Sequence, residues 1–185
     1  MRESRIPPTT SRRMTSDRVA ADAVVPEALP CFNAVVPAPF GAMGICHDGM
    51  QVAELVFLDP RTALSEPADD LSRQVAAQLA AYFDDARFVF QLPLKSVGTD
   101  FQRRVWAAIS AVPRGTSRTY GDLARDLESV PRAVGQACGA NAYPLVIPCH
   151  RVVAAAGLGG FAHSRDGFLP GVKRWLLRHE GVVPE

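Results

Sequence analysis

The residues of this sequence best suited to chemistry lie in one short segment, VIPCHRVV, which runs from Val146 to Val153. Cys149 and His150 are adjacent there, and a thiol beside an imidazole can support nucleophilic catalysis. A free thiol has a pKa near 8.5, so only about 3% of it is thiolate at neutral pH. Cys149 therefore needs a base or a positive neighbour, such as His150 or Arg151, before it can act as a nucleophile.

Pro148 constrains the backbone that carries this pair. Because proline lacks an N–H donor and excludes a regular helix through the segment, we expect a turn beginning at Asn141 and then a buried extended run that presents Cys149. Adjacent side chains of an extended run face opposite directions. His150 is then expected to reach the thiol only through a water molecule.

Glu180 is a candidate for the group that orients this imidazole. It follows the last predicted helix, where a carboxylate opposes the helix dipole at a cost of roughly 0.3–1 kcal/mol. A relay from Glu180 through His150 and a water to Cys149 would account for its position. On the residues alone, a solvated glutamate that tolerates the cost is the simpler interpretation.

The four cysteines, at positions 31, 46, 138 and 149, include no CxxC pair. This spacing indicates neither a zinc ribbon nor a thioredoxin motif. Cys46-His47 resembles half of a metal site, but no second pair stands at ligand spacing, so we predict no metal and no cofactor. In the absence of a secretory signal, the thiols are expected to be reduced in a cytoplasm, with Cys31 and Cys46 acting as small buried hydrophobes.

Composition and charge limit the possible partners. The chain has 185 residues and is 48% hydrophobic, which is enough for one domain or two small ones. No apolar run approaches the roughly 20 residues that a membrane helix needs. Residues 1–95 contain 9 Lys/Arg and 12 Asp/Glu, a net charge of −3, whereas residues 96–185 contain 11 and 7, a net charge of +4. A polyanion is therefore expected to dock on the C-terminal half.

The first half of the chain has strand and helix signals in succession. Residues 1–30 lack periodicity and are interpreted as a loose extension. Residues 31–96 are predicted to form an α/β domain, with antiparallel strands between Cys31 and Asp59, an Asp48-Gly49 turn, and a helix from Asp69 to Asp85.

At Val97-Gly98 the pattern becomes mostly helical, so we place a domain boundary there and assign residues 97–185 to a second domain. Thr99 and Gln102 fit a capping box that opens a helix ending near Val112. The remaining helices are predicted at 120–128, 132–140 and 172–179. The first two of these are separated by a short break, which indicates a helix-turn-helix.

The helix at 132–140, RAVGQACGA in sequence, has almost no large side chains. Each glycine in it costs up to about 1 kcal/mol relative to alanine. Close approach of another surface would compensate for that cost, and so would tight packing on a neighbouring helix. Composition favours neither interpretation over the other.

Four motifs together resemble a known family. IPCHRV, the preceding Arg132-Ala-Val-Gly and Asn141, and the following KRWLLRHEG are similar to the methylated-DNA–protein-cysteine methyltransferases, also called 6-O-alkylguanine-DNA alkyltransferases. The similarity extends from about Tyr82 to Val182. It implies an α+β fold, with a small ribonuclease-H-like sheet-plus-helix domain followed by a mostly helical, winged-helix-like domain.

The resemblance also implies an activity, which is DNA repair by irreversible transfer of an alkyl group from 6-O-alkylguanine to a cysteine. Cys149 would be the acceptor, and His150 and Glu180 would form the water-mediated relay that ionises it. Asn141 would brace the active-site turn, and Tyr120 would protonate the departing guanine. Each molecule would act once.

DNA and substrate contacts follow from the same resemblance. The implied partner is double-stranded DNA containing alkylated guanine, bound in the minor groove with little sequence specificity by a monomer that is cytoplasmic and associates with the nucleoid. Arg132 would fill the gap left by the flipped nucleotide. The implied DNA contacts are Arg132, Ala133, Gly135, Gln136 and Arg151. The implied substrate pocket is Tyr120, Cys138, Pro148, Leu158, Gly159 and Phe161.

The loop after Gly157 departs from the family pattern, because Phe161 replaces a tyrosine and about five residues are added. Three alternatives remain. A dinucleotide site at GLGGFA lacks a following helix. A Cys-His hydrolase would use His163 or His179. A non-catalytic alkylated-DNA-binding protein on the same scaffold is expected to lack the acceptor cysteine, which is present here.

Overall fold

The computed structural model describes residues 32–162 and 167–182. The predicted extension at 1–30, Cys31 and His163 lie outside these residues. The described part has a mixed α/β architecture with five α-helices, a three-stranded sheet and a two-stranded sheet. None of the helices in these two ranges is long and apolar enough to span a membrane.

The N-terminal strands form an antiparallel sheet in the order β1-β2-β3. They are β1 (Ala34–Ala38), β2 (Gly41–His47) and β3 (Val52–Leu58). The predicted turn between β2 and β3 is confirmed, since Oδ1 of Asp48 accepts hydrogen bonds from the amides of Met50 and Gln51 at 3.1 and 2.9 Å. This side chain satisfies the backbone where the chain reverses.

Helix α1 (Asp70–Asp84) packs against the sheet, as its periodicity predicts. Asp69 caps it by accepting a hydrogen bond from the amide of Ser72. Val75, Leu79 and Tyr82 form its buried stripe. The chain then runs back past β3 without forming a full strand, although the amide of Val52 donates to the carbonyl of Pro93 at 2.8 Å.

The C-terminal half contains α2 (Asp100–Ser110), α3 (Tyr120–Asp126), α4 (Pro131–Gly139) and α5 (Leu169–His179). The predicted capping box at Thr99 is confirmed, and Thr119 forms a second one with Asp122. Two short strands that the sequence analysis did not predict, β4 (Arg118–Thr119) and β5 (Val152–Val153), pair in parallel. They connect the start of α3 to the backbone just after Cys149.

A single hydrophobic core joins the two halves. Met43 of β2, Val75 of α1, Ile109 of α2 and Leu176 of α5 belong to the same buried cluster. The described residues of both predicted domains therefore share this core, and the domain boundary at Val97-Gly98 stays a prediction.

The predicted extended run at the reactive cysteine is wrong. Cys149–Arg151 is a single turn of 3₁₀ helix, preceded by Pro148 at φ −80°. Proline excludes a helix that runs through it, but its fixed φ and missing N–H are compatible with a turn that begins at the next residue. Cys149 is thus held at the first position of a tight turn.

Candidate active site

Cys149 lines a cavity of about 410 Å³ between α3, α4 and the loop around Phe161. Of the predicted pocket residues, Tyr120, Cys138 and Phe161 line it together with the acceptor thiol. The predicted DNA-contacting residues Arg132, Gly135 and Gln136 also form part of its wall. The structure therefore brings most of the predicted DNA-facing and substrate-facing residues to one opening.

The remaining predicted pocket residues, Pro148, Leu158 and Gly159, are not among the residues that line this cavity. A Cβ on Gly159 would come within 3.2 Å of the Tyr120 ring, so this glycine lies directly behind the tyrosine. The carbonyl of Leu158 accepts a hydrogen bond from Lys173. Pro148 lines a second cavity, described below.

Asn141 braces the turn that carries Cys149. Its Nδ2 donates to the carbonyl of Ile147 at 2.9 Å, and its Oδ1 accepts from the amide of Tyr143 at 3.0 Å. One side chain therefore ties both ends of the 143–147 loop, where Leu145 has a φ of 77°. Such a backbone needs external support because a branched side chain in this region is strained.

The thiol of Cys149 is buried, with the residue 5% exposed. Burial raises the pKa of the Cys149 thiol, because a dry environment disfavours the thiolate, while the Asn141 amide and the charge of Lys173 act in the opposite direction. The resting thiol is consequently neutral. Alkyl acceptance requires a group that removes its proton.

His150, the residue after Cys149, forms a buried pair with Glu180. Nε2 of His150 lies 3.0 Å from Oε1 of Glu180, and the two side chains are 1% and 0% exposed. The separation is that of a charge-assisted contact, yet neither ring nitrogen makes a hydrogen bond of good geometry with the described residues. At this separation, rotation of the ring can align the N–H with the carboxylate.

Burial lowers the pKa of His150, and the neighbouring Glu180 opposes that shift by favouring the imidazolium. His150 is thus neutral at rest and can accept a proton while Glu180 stabilises the resulting cation. This is the behaviour required of a general base.

Glu180 is not solvated, so the simpler sequence interpretation is wrong. Burial would raise its pKa, but contacts with His150 and Arg151 outweigh burial and lower the pKa to about 2. Nε and Nη2 of Arg151 donate to its two oxygens at 2.8 and 2.9 Å, and the hydroxyl of Tyr82 donates to Oε1 at 2.9 Å. The carboxylate is ionised and held in place from three directions.

Arg151, predicted as a DNA contact, is engaged in this inner network. Its Nη1 also donates to the carbonyl of Val112 at 2.6 Å, and its side chain is 13% exposed. Its contact with DNA stays a prediction.

The hydroxyl of Tyr120 donates to the carbonyl of Gly160 at 3.1 Å, and its ring lines the cavity. Burial raises its pKa, and the nearby thiols Cys138 and Cys149 act in the same direction. The phenol therefore stays protonated and is available as a proton donor.

Helix α4 divides its small residues between two faces. Val134 and Ala137 are buried toward α2, where the indole of Trp106 donates to the carbonyl of Ala137 at 2.8 Å. Gly135 and Gly139 instead line the cavity, while Arg132 is exposed at the first turn and Ala133 is half-buried. Tight helix packing and an open surface are thus both present, on opposite sides.

Lys173 is the site residue that sequence reasoning missed. It is fully buried, and its Nζ donates to the carbonyls of Val152, Leu158 and Gly160 at 2.6, 2.7 and 3.0 Å. Burial lowers its pKa to about 8, although the thiols Cys149 and Cys138 favour its charged form. The helical spacing could have indicated its burial, because Lys173 stands four residues before the buried Leu177 and so lies on the same face of α5.

A second cluster of reactive residue types, at His47, Asp69 and Ser72, is structural. Nδ1 of His47 accepts from the amide of Gly49 at 3.0 Å, so its Nε2 carries the proton and faces the Ser72 hydroxyl at 2.8 Å. That hydroxyl donates to Oδ2 of Asp69 at 2.8 Å. In a catalytic triad the aspartate and serine contact different ring nitrogens, whereas here both contact Nε2, and Asp69 caps α1.

The rival sites find no support in the described residues. The first helix described after the GLGGFA segment begins at Leu169. Nε2 of His179 contacts the carbonyl of Tyr82 at 2.7 Å, and its ring stacks on Trp175. No group of three potential metal ligands is present in residues 32–162 and 167–182.

Comparison with known proteins agrees with this geometry. The family model for the DNA-binding domain of 6-O-methylguanine DNA methyltransferase matches residues 100–182. The methylated-DNA–protein-cysteine methyltransferase of Methanosarcina mazei is 34% identical over 154 residues, which cover 79% of this chain and 94% of the relative. The chain belongs to this family.

Solved structures extend the similarity to the fold. The O6-methylguanine methyltransferase of Mycobacterium tuberculosis aligns with a TM-score of 0.65 at 31% identity, covering 80% of this chain and 90% of the other. A complex of the M. tuberculosis protein with DNA aligns with a TM-score of 0.64 at 32% identity, covering 80% and 91%. This member of the methylated-DNA–protein-cysteine methyltransferase family is therefore a DNA-binding methyltransferase of DNA repair.

Proposed function

We propose that this methyltransferase moves the alkyl group of 6-O-alkylguanine in duplex DNA onto Cys149 in a single irreversible step. The observation that carries the proposal is the position of Cys149 between two environments. On one side its thiol lines the cavity beside α4, and on the other it adjoins the buried His150–Glu180 pair.

The proposed chemistry begins with the thiol proton. Glu180, ionised and fixed by Arg151 and Tyr82, supports the imidazole of His150, which takes the proton through a bridging water. The thiolate attacks the alkyl carbon, so an S–C bond forms while the C–O bond breaks and its electron pair passes to the guanine. Tyr120 donates its proton to the departing base. The thioether is stable, so each molecule acts once.

Access to the thiol requires the damaged base to leave the helix. Flipping costs a few kcal/mol, and an inserted side chain offsets part of that cost. Arg132, exposed at the start of α4, is proposed to fill the vacated space. The small face formed by Ala133, Gly135 and Gln136 then suits the minor groove, which is about 6 Å wide.

The same proposal covers the finer assignments of fold and setting. We assign the sheet and α1 to a ribonuclease-H-like layer, and α2–α4 with the short β4–β5 pair to a winged-helix-like layer. The protein acts as a monomer in the cytoplasm and associates with the nucleoid when bound to DNA. Contacts to phosphates and groove shape make its binding largely independent of sequence.

Mass measurement after reaction tests the proposal. The protein is incubated with duplex DNA containing 6-O-methylguanine, and the expected result is a gain of one methyl group per molecule, located on Cys149 and absent in Cys149→Ser. The non-catalytic alternative predicts tight binding without a mass change in the native protein, and that outcome would overturn the proposal.

A further inference from the structure

A second cavity, of about 330 Å³, lies on the other side of the turn that carries the acceptor. Pro148 and Arg151 line it, whereas Cys149 lines the active-site cavity, and the two cavities share no lining residue. Its wall also includes the segment after α1 and the end of α2. The methyltransferase chemistry described above makes no use of this space.

The lining of this cavity includes both apolar and basic residues. Leu145, Val146 and Phe88 are among its apolar lining residues, and three arginines, Arg87, Arg114 and Arg151, also line it. Guanidinium groups match the oxygens of a phosphate in geometry as well as in charge.

The charges in this region leave one cation in surplus. Arg87 pairs with Asp85 at 2.9 Å, and Arg151 pairs with Glu180 at 2.8 Å. Arg114 is exposed, and within the described residues its ionic interaction is a longer-range one with Asp85. Its guanidinium is therefore available for an added anion without breaking an ion pair.

Arg151 connects this cavity to the active site. Three of its N–H groups are used, two on Glu180 and one on Val112. A guanidinium has five N–H donors, so two remain for a ligand. An anion at Arg151 would thus lie one side chain away from Glu180, the carboxylate that supports His150.

We propose that this second cavity binds a phosphate group and that the bound phosphate acts on the methyltransferase centre through Arg151. The effect of phosphate on the methyltransferase centre rests on the proposed function, whereas the binding of phosphate to the cavity does not. The positive charge of Arg151 opposes protonation of His150. A phosphate that partly neutralises this charge makes His150 a stronger base and speeds formation of the thiolate.

Equilibrium dialysis with labelled inorganic phosphate, at constant ionic strength, tests the binding. The native protein is expected to take up one phosphate saturably, and Arg114→Ala is expected to bind it about tenfold more weakly because one charge-assisted contact is lost. Arg61→Ala is the matched control, since Arg61 is exposed, pairs with Asp59 and does not line the cavity. Unsaturable uptake, or equal affinity in Arg114→Ala, would overturn the site.

The rate of methyl transfer from free 6-O-methylguanine base tests the coupling without DNA. Phosphate is expected to increase the rate a few-fold in the native protein, at the concentration that saturates the site, and to leave Arg114→Ala unchanged. Saturable binding with no change in rate would refute the coupling. Failure of the proposed function is distinguishable, because transfer to Cys149 would then be absent with or without phosphate.

Displacement identifies the source of the phosphate. If unmodified duplex DNA releases the labelled phosphate from the native protein, the site holds the DNA backbone during repair. If DNA binds while labelled phosphate remains, the site takes a free phosphate-bearing molecule.

Discussion

At the scale of single residues, the site depends on keeping each titrating group in the correct protonation state. The thiol of Cys149 has a raised pKa, the imidazole of His150 has a lowered pKa, and the carboxylate of Glu180 has a pKa of about 2. The resting set is therefore a neutral thiol, a neutral base and an anion. In the proposed mechanism, transfer of one proton from the thiol through a bridging water to the imidazole creates the nucleophile and places the new cation beside Glu180.

Tyr120→Phe tests the proton donor. The substitution removes the hydroxyl that contacts Gly160 and keeps the ring that lines the cavity. Since general-acid catalysis typically contributes about 10²–10⁴ in rate, single-turnover transfer from methylated duplex DNA is expected to slow by at least about 10². DNA affinity, measured by fluorescence anisotropy, is expected to stay near the native value. Normal transfer with weakened binding would contradict the assignment.

Residue identities alone predicted only part of the candidate site. The pairing of Cys149, His150 and Glu180 followed from motif resemblance, and the burial of Glu180 did not follow from its local sequence. Lys173 was overlooked because a lysine is seldom fully buried. Its three carbonyl partners come from two segments that approach α5 only in the folded chain.

At the scale of elements, α4 carries both a packing face and a functional face. Arg132 stands at its exposed N-terminal turn, next to exposed Val130 and Pro131. A Cβ added to Gly135 would lie 4.0 Å from the Tyr120 ring. Because glycine has no side chain, the surface of α4 stays low beside the cavity. A low surface beside an exposed arginine suits entry into a narrow groove.

Arg132→Ala tests this role of α4. If Arg132 stabilises the flipped state, transfer from duplex DNA should slow by about tenfold or more, corresponding to roughly 1–3 kcal/mol of lost flipping support. Transfer from the free base, which requires no flipping, should be unchanged. Both rates are measured on the same preparation, so that a loss of flipping support can be told from a general loss of transfer. Equal slowing of both rates would exclude a wedge role.

The entry to α2 depends on Gly98, which has a φ of 84°. A Cβ there would lie 2.6 Å from the Trp106 ring. Gly98→Ala is expected to destabilise the protein by about 2–4 kcal/mol, because it adds a clash to the left-handed backbone cost of about 1–2 kcal/mol. Urea unfolding measures the change.

Gly49→Ala is the matched control for this prediction. Gly49 has a φ of 92°, and nothing lies within 4 Å of an added Cβ. The free energy of unfolding of Gly49→Ala should fall only by the left-handed backbone cost of about 1–2 kcal/mol. Equal losses at the two positions would show that the Trp106 ring adjusts without cost.

At the scale of the whole molecule, Glu180 joins distant parts of the chain. It receives Tyr82 from α1, Arg151 from the 3₁₀ turn, and is itself fixed at the end of α5. Breaking such a buried network by removing one partner typically costs about 3–5 kcal/mol. Glu180 is thus also a structural joint between α1, the 3₁₀ turn and α5.

Acid unfolding tests this joint. The pKa of Glu180 falls from an ordinary value of 4.5 to about 2 in the folded protein, so the unfolded state binds more protons between these values. The stability that it contributes is present above pH 4.5 and is lost as the pH falls toward 2. Glu180→Gln is expected to be less stable at neutral pH and to show a smaller loss over this range in urea titrations.

Glu66→Gln serves as the control for removing one carboxylate, because Glu66 is exposed. It should unfold with the native pH dependence. If Glu180→Gln also kept the native slope between pH 4.5 and 2, the joint would contribute nothing to acid stability.

Local features of the sequence determined most of the elements, but not the β4–β5 pair or the 3₁₀ turn at Cys149. Periodic apolar residues, an Asp-Gly turn and the Thr99 capping box set helix and strand positions to within a few residues, because these signals act between residues at most a few positions apart. The motifs around Cys149 and Glu180 also indicated the family.

Tertiary structure decided what those residues experience. Tyr82 and Glu180 are 98 positions apart in the chain, and nothing in either local sequence encodes their contact. The pKa values of Cys149, His150, Lys173 and Glu180 depend on burial and on charges brought close by folding. Electrostatic energy depends on separation in space and on exclusion of water, so the sequence supplied the groups, and packing set their protonation states.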